Sequence, residues 1–414
     1  MRAFFALMLA VLLECTFLGV GISVIPLFVV QTLHCSAGVS GIVVGVQFIA
    51  AMLSRFPSGR ISDVKGPYSA MSAGALSAVI GGAFYAAASI SQDYVFLSVV
   101  LLFCGSALLG IAQSVLATGA MTGSVSLMEQ VQKAQKQAGK APSSKGPGAA
   151  ISWVGMCIFL GLILGAPMGV LLFEKTGLFW AGLVIALCSA VVQLWCYQSS
   201  KADLKNDSAG NAQEQGNFWE ALGYGLYHAW FPGFCFGLCA ISHGLIIAYA
   251  SLLYAEHHWF PLWLPYAVFG IALVLARLFL GSLPDRLGGA KTAFFSAFFE
   301  TVGLILVTCA SNLYLSSIGI FLTGFGFAFA FPAFALITLQ RGDSAHRGVL
   351  IGICNALGDG VRGVGIVCLG YLTALGGFSL VFFSGAFLSL LGGVGGVSLF
   401  FLGKKARIKK PASE

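Results

Sequence analysis

Stretches of about twenty apolar residues, the length that crosses ~30 Å of hydrocarbon, recur along this sequence with only short polar breaks between them. No other feature narrows its possible folds as much. The stretches lie near 4–30, 36–56, 68–90, 94–125, 150–173 and 177–198, then near 228–254, 262–281, 292–310, 313–340, 348–374 and 378–402. Such runs predict an all-α membrane protein with twelve transmembrane helices, since a spanning helix satisfies its own backbone polar groups in lipid. A soluble alternative fails on charge. Only 9% of residues are charged, against roughly 25% in a soluble domain. The 54 glycines suit spanning helices, where small residues let backbones approach closely. The first run continues to Val30, past the ~7–15 residues of a secretory signal core, and is expected to be a retained helix.

Lysine and arginine set the expected orientation. Twenty of the 22 fall on the side of the N-terminus and the even-numbered connections; Lys175 lies on the other side and Arg362 inside a span. Positive charge accumulates on cytoplasmic loops, so both termini are expected to be cytoplasmic. The net charge of +7 is this bias and no sign of nucleic-acid binding. Ten of the eleven cysteines sit in apolar runs and Cys35 in an outer loop, with no CxxC pair. They read as small hydrophobes rather than as a disulfide or metal framework, and no cofactor or metal is expected.

The polar segment 199–227 divides the runs six and six. The expected organisation is an N-terminal bundle at 1–198, a cytoplasmic linker at 199–227, a C-terminal bundle at 228–403 and a basic cytoplasmic tail at 404–414. A second polar stretch, 129–149, reads as a solvated basic loop. The halves share a frame: Arg55, Gly59, Asp63 and Gly66 follow R-x3-G-x3-D-x2-G after the second run, and Arg277, Gly281, Asp285 and Gly288 repeat it after the eighth. Parallel six-helix repeats with a site between them are a transporter architecture. Gly59 and Gly281 are expected to end their helices at a close approach or a tight turn. Asp63 and Asp285 are expected just before the next helix, stabilised by its free N–H groups. Arg55 and Arg277 lie at the membrane edge, placed to pair or snorkel. The repeated frame reads as a cytoplasmic latch that opens during transport.

This duplicated frame resembles the inter-helix signature of the major facilitator superfamily. The chain is most similar to that family's twelve-helix drug and metabolite efflux branch, represented by bacterial YhhS/YfcJ-like proteins. The resemblance rests on residues 53–67, 110–119, 151–170, 276–291 and 348–371, and on Glu300. It implies a multi-pass protein of the bacterial inner membrane, acting as a monomer on a small-molecule substrate with protons as partner. Gly161, Gly165, Pro167 and Gly169 resemble the family's antiporter motif, a hinge or seal between halves. The family's antiporters usually carry an Arg where this chain has Ser106, so any proton transfer falls to another group. Pro67–Tyr68 likewise stands where basic residues are usual.

Ionisable groups within a bilayer usually face a partner or a cavity. Four qualify: Glu14, Glu300, Asp359 and Arg362. Glu14 and Asp359 each lie about eleven residues into outward-running helices, near the midplane at ~1.5 Å per residue. Both are expected to be substrate-facing or protonatable. Asp359 has Arg362 three residues on, so it is expected to stay ionised, as a gating or substrate-polarity pair. Glu14, with no cation nearby in sequence, is the expected proton site. Glu300 is expected to hold a structural hydrogen bond. Gln47, Gln113, Asn355, His243 and Tyr249 complete the candidate substrate or proton set, and the aromatics from Phe325 to Phe334 in the run at 313–340 read as packing or lipid surface.

The expected function is therefore proton-coupled efflux of a small organic molecule by alternating access. The alternatives are an uptake permease for a sugar, organic anion or metabolite, and a membrane sensor or scaffold on a degenerate transporter fold. No Walker sequence or nucleophile–base arrangement points to an enzyme.

Overall fold

In a computed structural model the backbone is described for residues 2–137, 147–206, 218–343 and 346–408. The elements are α1 (Arg2–Leu27), α2 (Ala37–Lys65), α3 (Pro67–Ile90), α4 (Val95–Gln137), α5 (Pro147–Thr176), α6 (Leu178–Asn206), α7 (Phe218–Glu256), α8 (Leu264–Leu280), α9 (Leu283–Leu287), α10 (Gly289–Thr308), α11 (Leu313–Leu339) and α12 (Arg347–Ile408). Among the described residues ten helices are long and apolar enough to cross a membrane, and Leu264–Leu280 is a shorter apolar helix. The backbone of α12 leaves helical geometry at Gly376 (φ −154°) and Gly377 (φ 62°, ψ −165°). That break falls between the runs expected at 348–374 and 378–402. Gly377 tolerates the positive φ because it has no Cβ.

Several boundaries differ from the sequence expectation. The stretch 129–149 was expected as a loop, yet α4 stays helical to Gln137 and α5 begins at Pro147. The added turns read EQVQKAQKQ, made of Glu, Gln, Lys and Ala, which hold a helix well apart from one Val. In the same way α6 runs to Asn206 and α7 starts at Phe218, so much of the expected 199–227 linker is helical. Residues 138–146 and 207–217, and 409–414 of the expected tail, lie outside the described residues.

The chain forms two compact units, Met1–His34 with Ile49–Gln213, and Cys35–Phe48 with Glu214–Glu414. In the first, α3 packs on α4 and α6, and α1 on α5. In the second, α12 packs on α7 and α10, and α10 on α11. The α1–α5 seam shows why glycine is needed. A Cβ on Gly161 would lie 2.7 Å from the Leu12 carbonyl oxygen, and one on Gly169 would lie 2.7 Å from that of Val20; Gly165 would strike the Thr16 carbonyl. The glycines expected as a hinge therefore form a backbone-to-backbone contact with α1 inside the first unit. Pro167 sits within α5 between them.

Candidate functional site

The last glycine of the repeated frame has the same backbone conformation in both units. Gly66 (φ 86°, ψ 159°) precedes α3 and Gly288 (φ 80°, ψ 161°) precedes α10. These two positions are where the frame needs glycine, since a side chain is strained at positive φ. Gly281 follows the last residue of α8, as expected. Gly59 does not end a helix: it lies inside α2, which continues to Lys65, and a Cβ there would meet nothing within 4 Å. The sequence reading placed the sharp turn one repeat position too early, because a half-buried helical glycine and a turn glycine look alike in sequence. Asp63 falls in the last turn of α2, and Asp285, exposed, lies within the one-turn helix α9. Arg55 and Arg277 are both half-buried.

The second unit gathers a charged centre from helices distant in sequence. Asp359 and Arg362 lie one turn apart on α12 and form an ion pair through Arg362 Nη2. The other arm, Nη1, lies 3.0 Å from His243 Nδ1 on α7. A guanidinium only donates, so Nδ1 accepts, and the imidazole is neutral with its proton on Nε2. The Arg362 guanidinium carbon stands 4.0 Å from the centre of the Phe48 ring, close enough for a cation–π contact. Phe327 on α11 stacks on His243 at 4.7 Å and 8°, and Phe269 on α8 lies 5.4 Å away. Asp359, Arg362 and His243 remain 4%, 8% and 8% exposed, so the centre is buried without being sealed.

Of the other expected site residues, Tyr249 gives its hydroxyl to the Ile366 carbonyl at 2.9 Å. It sits between Gly41 and Gly370, where a Cβ on either would strike the hydroxyl. Gln47 is buried with Oε1 unpartnered, while Asn355 and, in the first unit, Gln113 are half-buried. Phe48, Phe269 and Phe327 were missed. Nothing in the sequence pairs residue 48 with 362, and a stacking aromatic looks the same as a packing one.

The remaining two carboxylates differ in how they are satisfied. Glu300, fully buried on α10, accepts hydroxyls from Ser296 (2.9 Å), Ser242 of α7 (2.9 Å) and Ser389 of α12 (2.7 Å). This is the structural hydrogen bonding expected of it. Glu14 on α1 is also fully buried, but it accepts one hydroxyl, from Ser189 of α6 at 2.9 Å, and its Oε2 has no partner. Ser106, where the family's Arg is usual, hydrogen-bonds the buried Tyr85 hydroxyl at 2.9 Å, a neutral and packed arrangement.

The Major Facilitator Superfamily model matches residues 7–365 and 233–414. An uncharacterized MFS-type transporter of Salmonella typhimurium is 30% identical over 94% of each chain. The Escherichia coli K12 MFS-type transporter YhhS is 26% identical over 89% of this chain and 85% of its own. Among solved structures, the nucleoside transporter NupG has a TM-score of 0.71 at 13% identity, covering 97% of this chain and 99% of its own. A POT family transporter scores 0.72 at 12% identity, covering 99% and 97%. Identities this low establish the fold alone. With the family model matched along nearly the whole chain, this multi-span protein belongs to the Major Facilitator Superfamily and is a secondary transporter.

Proposed function

We propose that this protein is a proton-coupled transporter of a small organic molecule that works by alternating access, with Asp359, Arg362 and His243 as its coupling centre. The observation that carries this reading is the centre itself: an ion pair and a neutral imidazole, buried together in a spanning region. Intramembrane ionisable groups mark ion and substrate pathways. The sequence expectation put the proton on Glu14. We place it on the α12–α7 centre, because Glu14 is fully enclosed beside Ser189, whereas Asp359 and His243 keep a few per cent of exposure.

The architecture that goes with this function has twelve spans in two six-helix repeats, both termini cytoplasmic, in the bacterial inner membrane. Counting Leu264–Leu280 as a span and dividing α12 at Gly376–Gly377 supports the number. The lysine and arginine distribution supports the orientation, and the bacterial relatives support the location. We take the monomer as the working unit and the repeated Arg–Gly–Asp–Gly turns as a latch.

Two directions of transport follow from different features. Proton antiport with efflux follows from the family motif at Gly161–Gly169. Uptake together with a proton is favoured by the centre, because Arg362 already neutralises Asp359. An empty carrier with no net charge can reorient, which cotransport needs and antiport must prevent. Metabolite uptake into right-side-out and everted vesicles, with and without an imposed pH gradient, tests the coupling. Transport indifferent to the gradient in both vesicle types would defeat it.

A further inference from the structure

The second unit holds another cluster of titratable rings, away from the charged centre. Tyr224, in the second turn of α7, receives the backbone N–H of Asp343 on its hydroxyl at 2.7 Å. The same ring lies against two imidazoles. His228, one turn further along α7, is 4.2 Å away at 34°, and His346, just before α12, is 4.5 Å away at 34°. Together these contacts tie the turn between α11 and α12 to the start of α7. The two imidazoles differ in what they can hold. His228 Nδ1 lies 2.9 Å from the Tyr224 carbonyl oxygen. A carbonyl only accepts, so Nδ1 donates and Nε2 is the nitrogen left to take a second proton. His346 Nδ1 is buried with no hydrogen-bond partner among the described residues. An N–H there would be a buried donor lacking an acceptor, so Nδ1 is the bare nitrogen of a neutral ring. Around the cluster stand Tyr227, 5.0 Å from His228, Glu220 on α7, Arg341 and Asp343 on the turn, and Arg347 at the start of α12. The four charged groups are exposed, and among the described residues none forms an ion pair with either imidazole.

We propose that Tyr224, His228 and His346 form a pH-sensitive strap, in which proton uptake by His228 tightens the hold of α7 on the turn leading into α12. The proton comes from water and goes onto Nε2. Imidazole is the side chain that changes charge between about pH 5 and 8. Once charged, the ring strengthens both of its contacts with Tyr224. The Nδ1–H bond to the carbonyl becomes charge-assisted, and a cation now rests on the tyrosine face. His346 stays as the uncharged ring on the other contact. The helix that the strap restrains, α12, is the one that bears Asp359 and Arg362. On the proposed orientation this end of α7 faces the cytoplasm, so the strap responds to cytoplasmic pH. It stands on ring and hydrogen-bond geometry, and does not require the charged centre to carry protons.

Hydrogen exchange of the purified full-length protein in detergent tests the strap at the Asp343 amide, which Tyr224 holds. Exchange is measured at about pH 7.5 and about pH 5.5, on either side of an ordinary histidine. Each rate is divided by that of an unstructured peptide of the same sequence at the same pH. The corrected rate in the wild type should be about two- to fivefold slower at the lower pH, the effect of one partly exposed cation–π contact. His228→Gln should abolish the difference. Asp343→Asn should keep it, since His228 and not the carboxylate takes the proton. Tyr224→Phe retains the ring and loses only the hydroxyl, so it should fold, exchange faster at both pH values and keep the difference. Tyr224→Leu should exchange faster at both and lose it. Equal corrected rates in the wild type, a difference that survives His228→Gln or Tyr224→Leu, or one that vanishes in Asp343→Asn or Tyr224→Phe overturns the proposal.

Discussion

Removing Arg362 and removing Asp359 should have unequal consequences, although each breaks the same ion pair. Arg362→Ala leaves the Asp359 carboxylate 4% exposed without the guanidinium that neutralised it. Breaking a buried pair from one side costs about 3–5 kcal/mol, chiefly from the charge left behind. Asp359→Asn strands the guanidinium instead, but Nη1 keeps His243 Nδ1 at 3.0 Å and the cation keeps the Phe48 ring at 4.0 Å. A hydrogen bond to a charged group contributes about 1.5–3 kcal/mol, and a partly desolvated cation–π contact about 0.5–2 kcal/mol. Arg362→Ala should therefore be the more destabilising by at least about 1.5 kcal/mol, the hydrogen-bond term alone. Adding Asp359→Asn to Arg362→Ala should recover much of the deficit, since it removes the stranded charge. The assay is equilibrium unfolding of the purified protein in detergent, followed by maleimide reaction of the buried thiols Cys235, Cys239 and Cys354. Arg362→Ala unfolding at the wild-type midpoint, or Asp359→Asn being the more harmful of the two, would refute the charge reasoning.

Glu14→Gln should leave pH-gradient-driven transport intact if the proton rides on the α12–α7 centre; loss of uphill transport with downhill exchange preserved would return the assignment to Glu14. Asp63→Asn and Asp285→Asn should each raise thiol accessibility from the cytoplasmic face if the repeated turns act as a latch, and unchanged labelling in both would leave them as plain turns. Gly59→Ala should be neutral or stabilising by up to about 1 kcal/mol, because alanine is the better helix former and nothing lies within 4 Å of its Cβ. Gly165→Ala should destabilise, since its Cβ would strike the Thr16 carbonyl of α1; equal melting temperatures for the two variants would falsify that account of the seam.

The class of fold was legible because it depends on length and polarity counted along the chain. Apolar runs of spanning length, the basic bias of one set of connections and the repeat at Arg55–Gly66 and Arg277–Gly288 are all local, so sequence carries them without loss. The break at Gly376–Gly377 was legible for the same reason. Helix ends were read less well where Glu, Gln, Lys and Ala extend a helix beyond the hydrocarbon, as at 129–137, because polarity and helical propensity are separate properties there. Asp359 and Arg362 could be paired from sequence since they are one turn apart. His243 and Phe48 could not, being joined to Arg362 only when α7, α12 and the 37–48 segment of α2 pack together. The contrast between Glu14, with one donor, and Glu300, with three, was also invisible, because the serines that decide it come from other helices. Sequence supplied the charges and their depth in the membrane; tertiary packing decided which partners neutralise them, since hydrogen bonds and ion pairs form between neighbours in space whatever their distance along the chain.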